Sequence, residues 1–243
     1  MDNEKIRELR KIIKAADKIV FFGGAGVSTA SNIPDFRSKD GLYSRENKYG
    51  VSPEELLSKR FLFLRPRDFY EFYRENMVFT DYEPNAAHLA LARLEAEGRL
   101  TLTVTQNIDG LHERAGSRRV VNLHGNASLF YCAFCGEEHS AEYVLSCEGI
   151  PRCRICKNMV RPDIVLYGEP LDTEKFKTAA EHIAEADLLI VAGTSLTVYP
   201  ANLLVHHYEG DLVIINREPT RYDTKARLVI RDPIAEVLSA AVD

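Results

Sequence analysis

The chain reads as a doubly wound α/β protein carrying a smaller inserted module, and three observations support that reading. Short apolar runs of β type at 18–22, 100–104, 120–123, 188–192 and 212–215 alternate with segments of helical spacing, which is the rhythm of a mostly parallel sheet covered by helices. Several runs end in small or polar residues, placing those residues where an open α/β sheet forms its ligand crevice. Between about 128 and 160 the rhythm stops, and two Cys-x2-Cys pairs take its place.

Each element has its own signal. Ile6, Leu9, Ile12, Ile13 and Ala16 recur at helical spacing behind an Asp/Asn start, predicting an amphipathic helix over 3–16. Residues 18–22 are a buried strand running into Gly23-Gly24-Ala25-Gly26 and a helix start. From 35 to about 81 the chain is irregular at first, then mostly helical and rich in aromatics. A helix over 84–97 takes Asn85 as its cap and Gly98 as its stop. Strands at 100–104 and 120–123 follow. Beyond the cysteines come a strand at 164–166, a helix at 173–185, a strand at 188–192, a helix at 200–208, a strand at 212–215 and a last helix at 233–241.

With 243 residues, 45% of them hydrophobic, the chain suits one large domain carrying a small one. A net charge of −5 gives no electrostatic footprint for nucleic acid. No segment approaches the roughly 20 apolar residues of a membrane span, and the charged N-terminal stretch lacks the apolar centre of a signal peptide. These features predict a soluble, cytoplasmic protein that does not engage membranes.

Of the five cysteines, Cys132, Cys135, Cys153 and Cys156 form two Cys-x2-Cys pairs separated by seventeen residues. This is zinc-ribbon spacing, and four thiolates close a tetrahedral shell, so a bound Zn²⁺ is structural and does not activate water. Cys147 lies between the pairs as a small semi-buried residue.

The chemistry-bearing blocks follow apolar runs. Gln106, Asn107 and Asp109 come after 100–104, and His124 comes after 120–123. An amide pair, a carboxylate and an imidazole that titrates near neutrality suit a reaction centre, although Asn107 and Asp109 taken singly also suit helix caps. The glycine turn presents backbone N–H groups toward a phosphate. Alone it is weak evidence and also suits a ligand-free turn, because Thr29 stands at the third glycine position of G-x-G-x-x-G. Gly193-Thr194-Ser195 and Asn216 end two further strands with hydroxyl and amide groups, and three such ends favour dinucleotide binding. Asn32 suits a left-handed turn. Phe36 and Arg37 offer an aromatic face and a cation over a nicotinamide ring and a polyphosphate.

Taken together, GAGVSTASNIPDFR (24–37), TQNIDGLHERAG (105–116), LHGN (123–126), CAFC and CRIC, RPDIVLYGE (161–169), GTSLTVYP (193–200) and IIN (214–216) make the chain resemble the sirtuins, the NAD-dependent protein deacylases. The resemblance implies a Rossmann-like domain of 1–34, 82–127 and 161–243, a small domain of 35–81 and 128–160, and a cleft between them for NAD and an acyl-lysine peptide. It implies that His124 is the general base for a ribose hydroxyl and that Asn107 orients the ribose and a water. Asp109, Ile108 and Phe36 would form the nicotinamide pocket. Ala25, Thr29, Arg37, Gln106, Thr194, Ser195 and Asn216 would hold the rest of NAD, and Asp232 would close the adenine end. Residues 165–169 would pair with the substrate backbone. The products would be deacylated lysine, nicotinamide, which also inhibits, and O-acyl-ADP-ribose.

Three positions depart from the sirtuin pattern. Asn32 replaces a glycine, Tyr167 replaces a common phenylalanine, and tyrosine stands where sirtuins acting on succinyl- and malonyl-lysine carry arginine three residues after a tyrosine. Tyr70 and Tyr73 share a helix face and are expected to line an acyl tunnel without a cation, which favours acetyl-lysine. A Rossmann dehydrogenase would carry an acid at the end of its second strand and no zinc ribbon. A non-enzymatic zinc-ribbon module would leave Gln106, Asn107, Asp109 and His124 unexplained. ADP-ribosyl transfer to protein and removal of longer acyl chains stay open as readings within the family.

Overall fold

In a computed structural model, which describes residues 2–35 and 48–242, helix α1 (Asn3–Ala15) begins at Asp2, whose carboxylate accepts the N–H groups of Glu4 and Lys5. Strand β1 (Ile19–Gly23) follows. Helices α2 (Pro53–Leu56), α3 (Lys59–Leu64), α4 (Pro66–Asn76) and α5 (Ala86–Ala96) lead to β2 (Leu100–Thr105), α6 (Leu111–Arg114) and β3 (Val120–Asn122). The cysteine region contains β4 (Gly125–Cys132), β5 (Glu138–His139), α7 (Ala141–Ser146) and β6 (Val160–Ile164). The chain closes with α8 (Thr173–Ala184), β7 (Leu188–Ala192), α9 (Leu203–His206), β8 (Asp211–Ile215), β9 (Leu228–Ile230) and α10 (Ile234–Val242).

Among the described residues, six parallel strands form one sheet in the order β3-β2-β1-β7-β8-β9. Strand alternation divides the apolar residues between its two faces. Ile19 and Phe21 pack beneath α1, α5 and α10, while Val20 and Phe22 face α8 and α9. Both faces are therefore covered, as parallel sheets require. The strand order reverses direction between β1 and β7, and the ligand crevice of such a sheet opens beside that switch.

A second, antiparallel sheet runs β5-β4-β6. It corrects the predicted strand at 164–166. Val160–Ile164 lies against β4, from Cys132↔Val160 to Gly125↔Ile164, and does not join the parallel sheet. Gly125 permits this pairing. Its φ is +82°, and a Cβ there would stand 1.9 Å from the Asp163 carbonyl oxygen. The small sheet packs with α2–α4 on a separate apolar core containing Phe61, Phe69, Tyr73, Phe130 and Val160.

Two other expectations are corrected. The segment after the glycine turn is not an α-helix but two short 3₁₀ turns, Ala25–Val27 and Thr29–Ser31, closed by Asn32 in the left-handed conformation at φ 65°. The helix expected at 200–208 shrinks to Leu203–His206, because i→i−3 bonds such as Leu203 N–H to Pro200 and Tyr208 N–H to Val205 tighten both ends. Strand β9 escaped the sequence reading, since three residues between Arg227 and Arg231 give too little alternation to register.

Two histidines are sealed between α5 and α6. The His88 and His112 rings meet at 4.8 Å, and Phe21 lies 5.9 Å from His112. His88 Nδ1 accepts the Asn85 N–H at the start of α5, while His88 Nε2 and both His112 nitrogens are buried without a partner. Burial holds His88 down at about 4 and His112 at about 3. Both histidines stay neutral in the folded protein while the unfolded chain takes up protons near pH 6.5, so stability falls as pH drops from 6.5 toward 4. The expected loss between pH 7 and pH 5 is about 2 kcal/mol per histidine. Urea unfolding at the two pH values checks it: His112→Phe should remove about half of the pair's contribution, and an unchanged pH difference would overturn the account.

Candidate active site

The β1 and β7 ends meet backbone to backbone. Gly24 N–H donates to the Ala192 carbonyl and Gly26 N–H to the Gly193 carbonyl. A Cβ on Gly26 would lie 2.7 Å from Gly193 Cα, so side chains are excluded where the two turns cross. The next ring of residues is tied to this crossing. Gln106 N–H donates to the Gly23 carbonyl at 2.9 Å, and Gln106 Nε2 donates to Thr194 Oγ1 at 3.0 Å.

A buried polar chain lies beneath. Asn107 Nδ2 donates to Ser28 Oγ at 3.0 Å, and Ser28 Oγ donates to Asp109 Oδ2 at 2.7 Å. Asp109 Oδ1 accepts the Leu111 N–H, and Thr105 Oγ1 accepts the Asn107 N–H. Burial pushes the Asp109 carboxyl above its usual range, against the pull of the Leu111 and Ser28 hydrogen bonds. Each side chain in this chain is thus oriented by the next.

His124 Nδ1 lies 2.9 Å from the Gln106 carbonyl oxygen. A carbonyl can only accept, so Nδ1 carries the proton, and in the neutral imidazole the lone pair is left on Nε2. That is the tautomer a general base needs.

A cleft of about 1730 Å³ joins these groups. Ala25, Thr29, Gln106, Asn107, Ile108 and His124 line it on the β1–β2 side, and Thr194, Ser195, Asn216 and Asp232 line it on the β7–β8 side. Asp109 lines a small side cavity with Ser28, Ile33, Met77, Phe79 and Ile108. Phe36 and Arg37 lie outside the described residues. The volume exceeds the roughly 300–1,000 Å³ of pockets for drug-sized ligands, and it suits a dinucleotide with an extended peptide beside it.

Tyr70 and Tyr73 do not line the cleft as expected. Both are fully buried; the Tyr70 hydroxyl donates to the Val160 carbonyl and the Tyr73 hydroxyl to the Ala127 carbonyl at 2.7 Å. Their shared helix face turns toward the small sheet, where the Val160 carbonyl of the edge strand β6 and the Ala127 carbonyl at the irregularity in β4 accept their hydroxyls.

At the far end of the small sheet the four cysteine sulfurs lie within 4.8 Å of one another. Cys132–Cys156, Cys135–Cys156 and Cys135–Cys153 separations of 3.3, 3.4 and 3.7 Å are close to the edges of a tetrahedron drawn around an ion with Zn–S bonds of about 2.3 Å. The donor set and its spacing fit structural zinc, and no fourth position opens toward the cleft.

A model of the Sir2 family matches residues 24–200, the stretch that contains the glycine turn, the Asn107–Asp109 loop, His124 and all four zinc-type cysteines. The chain belongs to the Sir2 family. It is 51% identical over 241 residues to an NAD-dependent protein deacetylase of Clostridium acetobutylicum, covering 98% of each chain. Its fold matches a Sir2 solved with a p53 peptide and NAD+ at a TM-score of 0.84, with 35% identity over 96% of this chain and 95% of that one. A Sir2 with deacetylated p53 peptide and 3′-O-acetyl ADP-ribose matches at 0.86, with 35% identity over 97% and 96%.

Several residues of this Sir2-family site escaped the sequence reading. Ser28 joins Asn107 to Asp109 across 79 and 81 positions of chain, and its motif carried no sign of that direction. Met77 and Ile33 line both cavities, yet in sequence they read as ordinary apolar residues.

Proposed function

We propose that this Sir2-family protein removes acetyl groups from protein lysine side chains with NAD as co-substrate, releasing deacetylated lysine, nicotinamide and O-acetyl-ADP-ribose, with His124 as general base. The observation that carries the reading is the His124 tautomer, set by the Gln106 carbonyl, in a cleft shared with Asn107. Bound NAD supplies an electrophilic sugar carbon, so the chain needs neither a nucleophilic side chain nor a catalytic metal. His124 Nε2 takes the proton of a ribose hydroxyl. Asn107, held by Ser28 and Thr105, orients that ribose and a water. Asp109 and Ile108, with Phe36, shape the nicotinamide pocket, where returning nicotinamide inhibits. Ala25, Thr29, Arg37, Gln106, Thr194, Ser195 and Asn216 hold the remaining sugar and phosphates, and Asp232 closes the adenine end.

In this reading 1–34, 82–127 and 161–243 form the NAD domain and 35–81 with 128–160 the small domain, while β4 and β6 run across the boundary. Among the described residues no helix is long and apolar enough to cross a membrane. We place the enzyme in the cytoplasm, where four zinc-binding thiols stay reduced.

The acyl group sits among Ile33, Met77, Ile108, Ile164 and Leu166, all of which line the cleft. Among the described lining residues Arg217 is the one Lys or Arg side chain, and it follows β8, two strands away from β1. A carboxylated acyl chain therefore loses a charge-assisted hydrogen bond of about 1.5–3 kcal/mol, which disfavours succinyl-lysine by roughly tenfold to a hundredfold in kcat/KM. Mass spectrometry of acetyl and succinyl versions of one peptide, with and without NAD, tests both statements. Equal or better desuccinylation would overturn the acyl preference, and deacetylation without NAD would overturn the reaction.

A further inference from the structure

The segment 164–169 is held from one side by an ion pair that the reaction itself does not use. The Arg161 guanidinium is buried and donates to both Glu169 carboxylate oxygens, Nη1 to Oε1 at 2.6 Å and Nη2 to Oε2 at 2.8 Å. The same guanidinium reaches the Ile164 carbonyl at 2.9 Å and the Pro162 carbonyl at 3.2 Å, and Glu169 Oε2 accepts the Leu166 N–H at 3.0 Å. Tyr131 packs against the guanidinium, 5.5 Å from its ring centre. One fork therefore grips both ends of a six-residue segment.

The segment's remaining backbone groups are divided in a telling way. Val165 N–H donates to the His124 carbonyl, Tyr167 N–H to the Leu57 carbonyl, and Lys59 N–H to the Tyr167 carbonyl. Among the described residues the Val165 carbonyl and the Gly168 N–H have no hydrogen-bond partner. An acceptor and a donor three residues apart on an exposed edge are what an added peptide strand requires. The Val165–His124 bond ties this edge to the residue read as the base.

We propose that the Arg161–Glu169 pair is a positioning device that holds the Val165 carbonyl and Gly168 N–H in place before the peptide arrives. The inference rests on reading 165–169 as the substrate edge. A buried bidentate pair suits the task because its planar fork fixes direction as well as distance. Without it the segment must order itself on binding, and that entropy is charged to peptide affinity rather than to chemistry.

Three measurements test the proposal. Glu169→Gln is expected to raise the KM for an acetyl-lysine peptide on the order of tenfold, with kcat and NAD affinity close to wild type. The double variant Arg161→Met with Glu169→Met removes the pair without leaving a buried lone charge, so it is expected to keep its melting temperature and still show the raised peptide KM. A wild-type peptide KM in either folded variant overturns the clamp, because a purely structural pair would leave KM intact once stability is restored. Hydrogen exchange of the wild-type protein with and without the acetyl-peptide separates this failure from that of the underlying reading. A Gly168 amide that gains no protection refutes the substrate edge itself, whereas protection together with an unchanged variant KM refutes only the clamp.

Discussion

Replacing His124 with Ala is expected to lower deacetylation by roughly two to four orders of magnitude, the usual contribution of a positioned general base, while NAD still binds. The physical basis is local. His124 Nδ1–H is committed to the Gln106 carbonyl, so the variant loses the one ring nitrogen able to accept a proton among the described residues that line this cleft. The scaffold that would hold the nucleotide does not pass through the imidazole. The Gly26–Gly193 crossing, the Gln106–Thr194 bond and the Asn107–Ser28–Asp109 chain all form without it. Steady-state assay of an acetyl-peptide paired with calorimetric NAD binding makes the check. Near-normal turnover removes His124 from the role, and lost turnover together with lost NAD binding would instead make it a structural residue.

The second large effect is expected at the cysteines. One equivalent of Zn²⁺ copurifies with the protein, and Cys153→Ala loses the metal and much of the small sheet's stability together. Structural Zn²⁺ supplies folding free energy outright, and even about 3 kcal/mol of it lowers the melting temperature by roughly 10 °C in a chain of this size. Cys132 and Cys153 are not surface appendages. They are 1% and 0% exposed and pack in the same core as Phe130, Val144, Val160 and Leu166. Loss of the metal therefore loosens the sheet whose strand β6 leads into the segment proposed as the substrate edge. Metal analysis and thermal melts of wild type and variant decide the matter; a metal-free protein of full stability and activity would refute a structural zinc.

Much of this architecture was legible because its signals are local. The alternation Ile19-Val20-Phe21-Phe22 marks a strand covered on both faces, and the structure divides those residues between two cores. Asn85 and Gly98 bracket α5 as capping chemistry requires. The four cysteine positions rest on spacing within two tight turns, and their sulfurs converge accordingly. Gln106, Asn107, Asp109 and His124 stand at strand ends, and a parallel sheet brings such ends to one edge. All but Asp109 line the main cleft, and Asp109 lines the cavity beside it.

Other features depended on groups far apart in the chain. The residues 164–166 have strand composition, but composition does not choose a partner, and the approach Gly125 permits sends Val160–Ile164 to β4. Tyr70 and Tyr73 share a face at helical spacing, yet which way that face turns was decided by the Val160 and Ala127 carbonyls awaiting donors. By itself the sequence determined the doubly wound sheet, the residues gathered at its carboxyl edge and the zinc-type cluster, because each follows from periodicity or spacing within a few residues. Only the tertiary structure decided the His124 tautomer, the Ser28 bridge, the sealed His88–His112 pair and the Arg161–Glu169 fork. Each of these depends on hydrogen bonds or a ring contact between separate segments of the chain, and side-chain direction across such a gap is set by packing, not by local propensity.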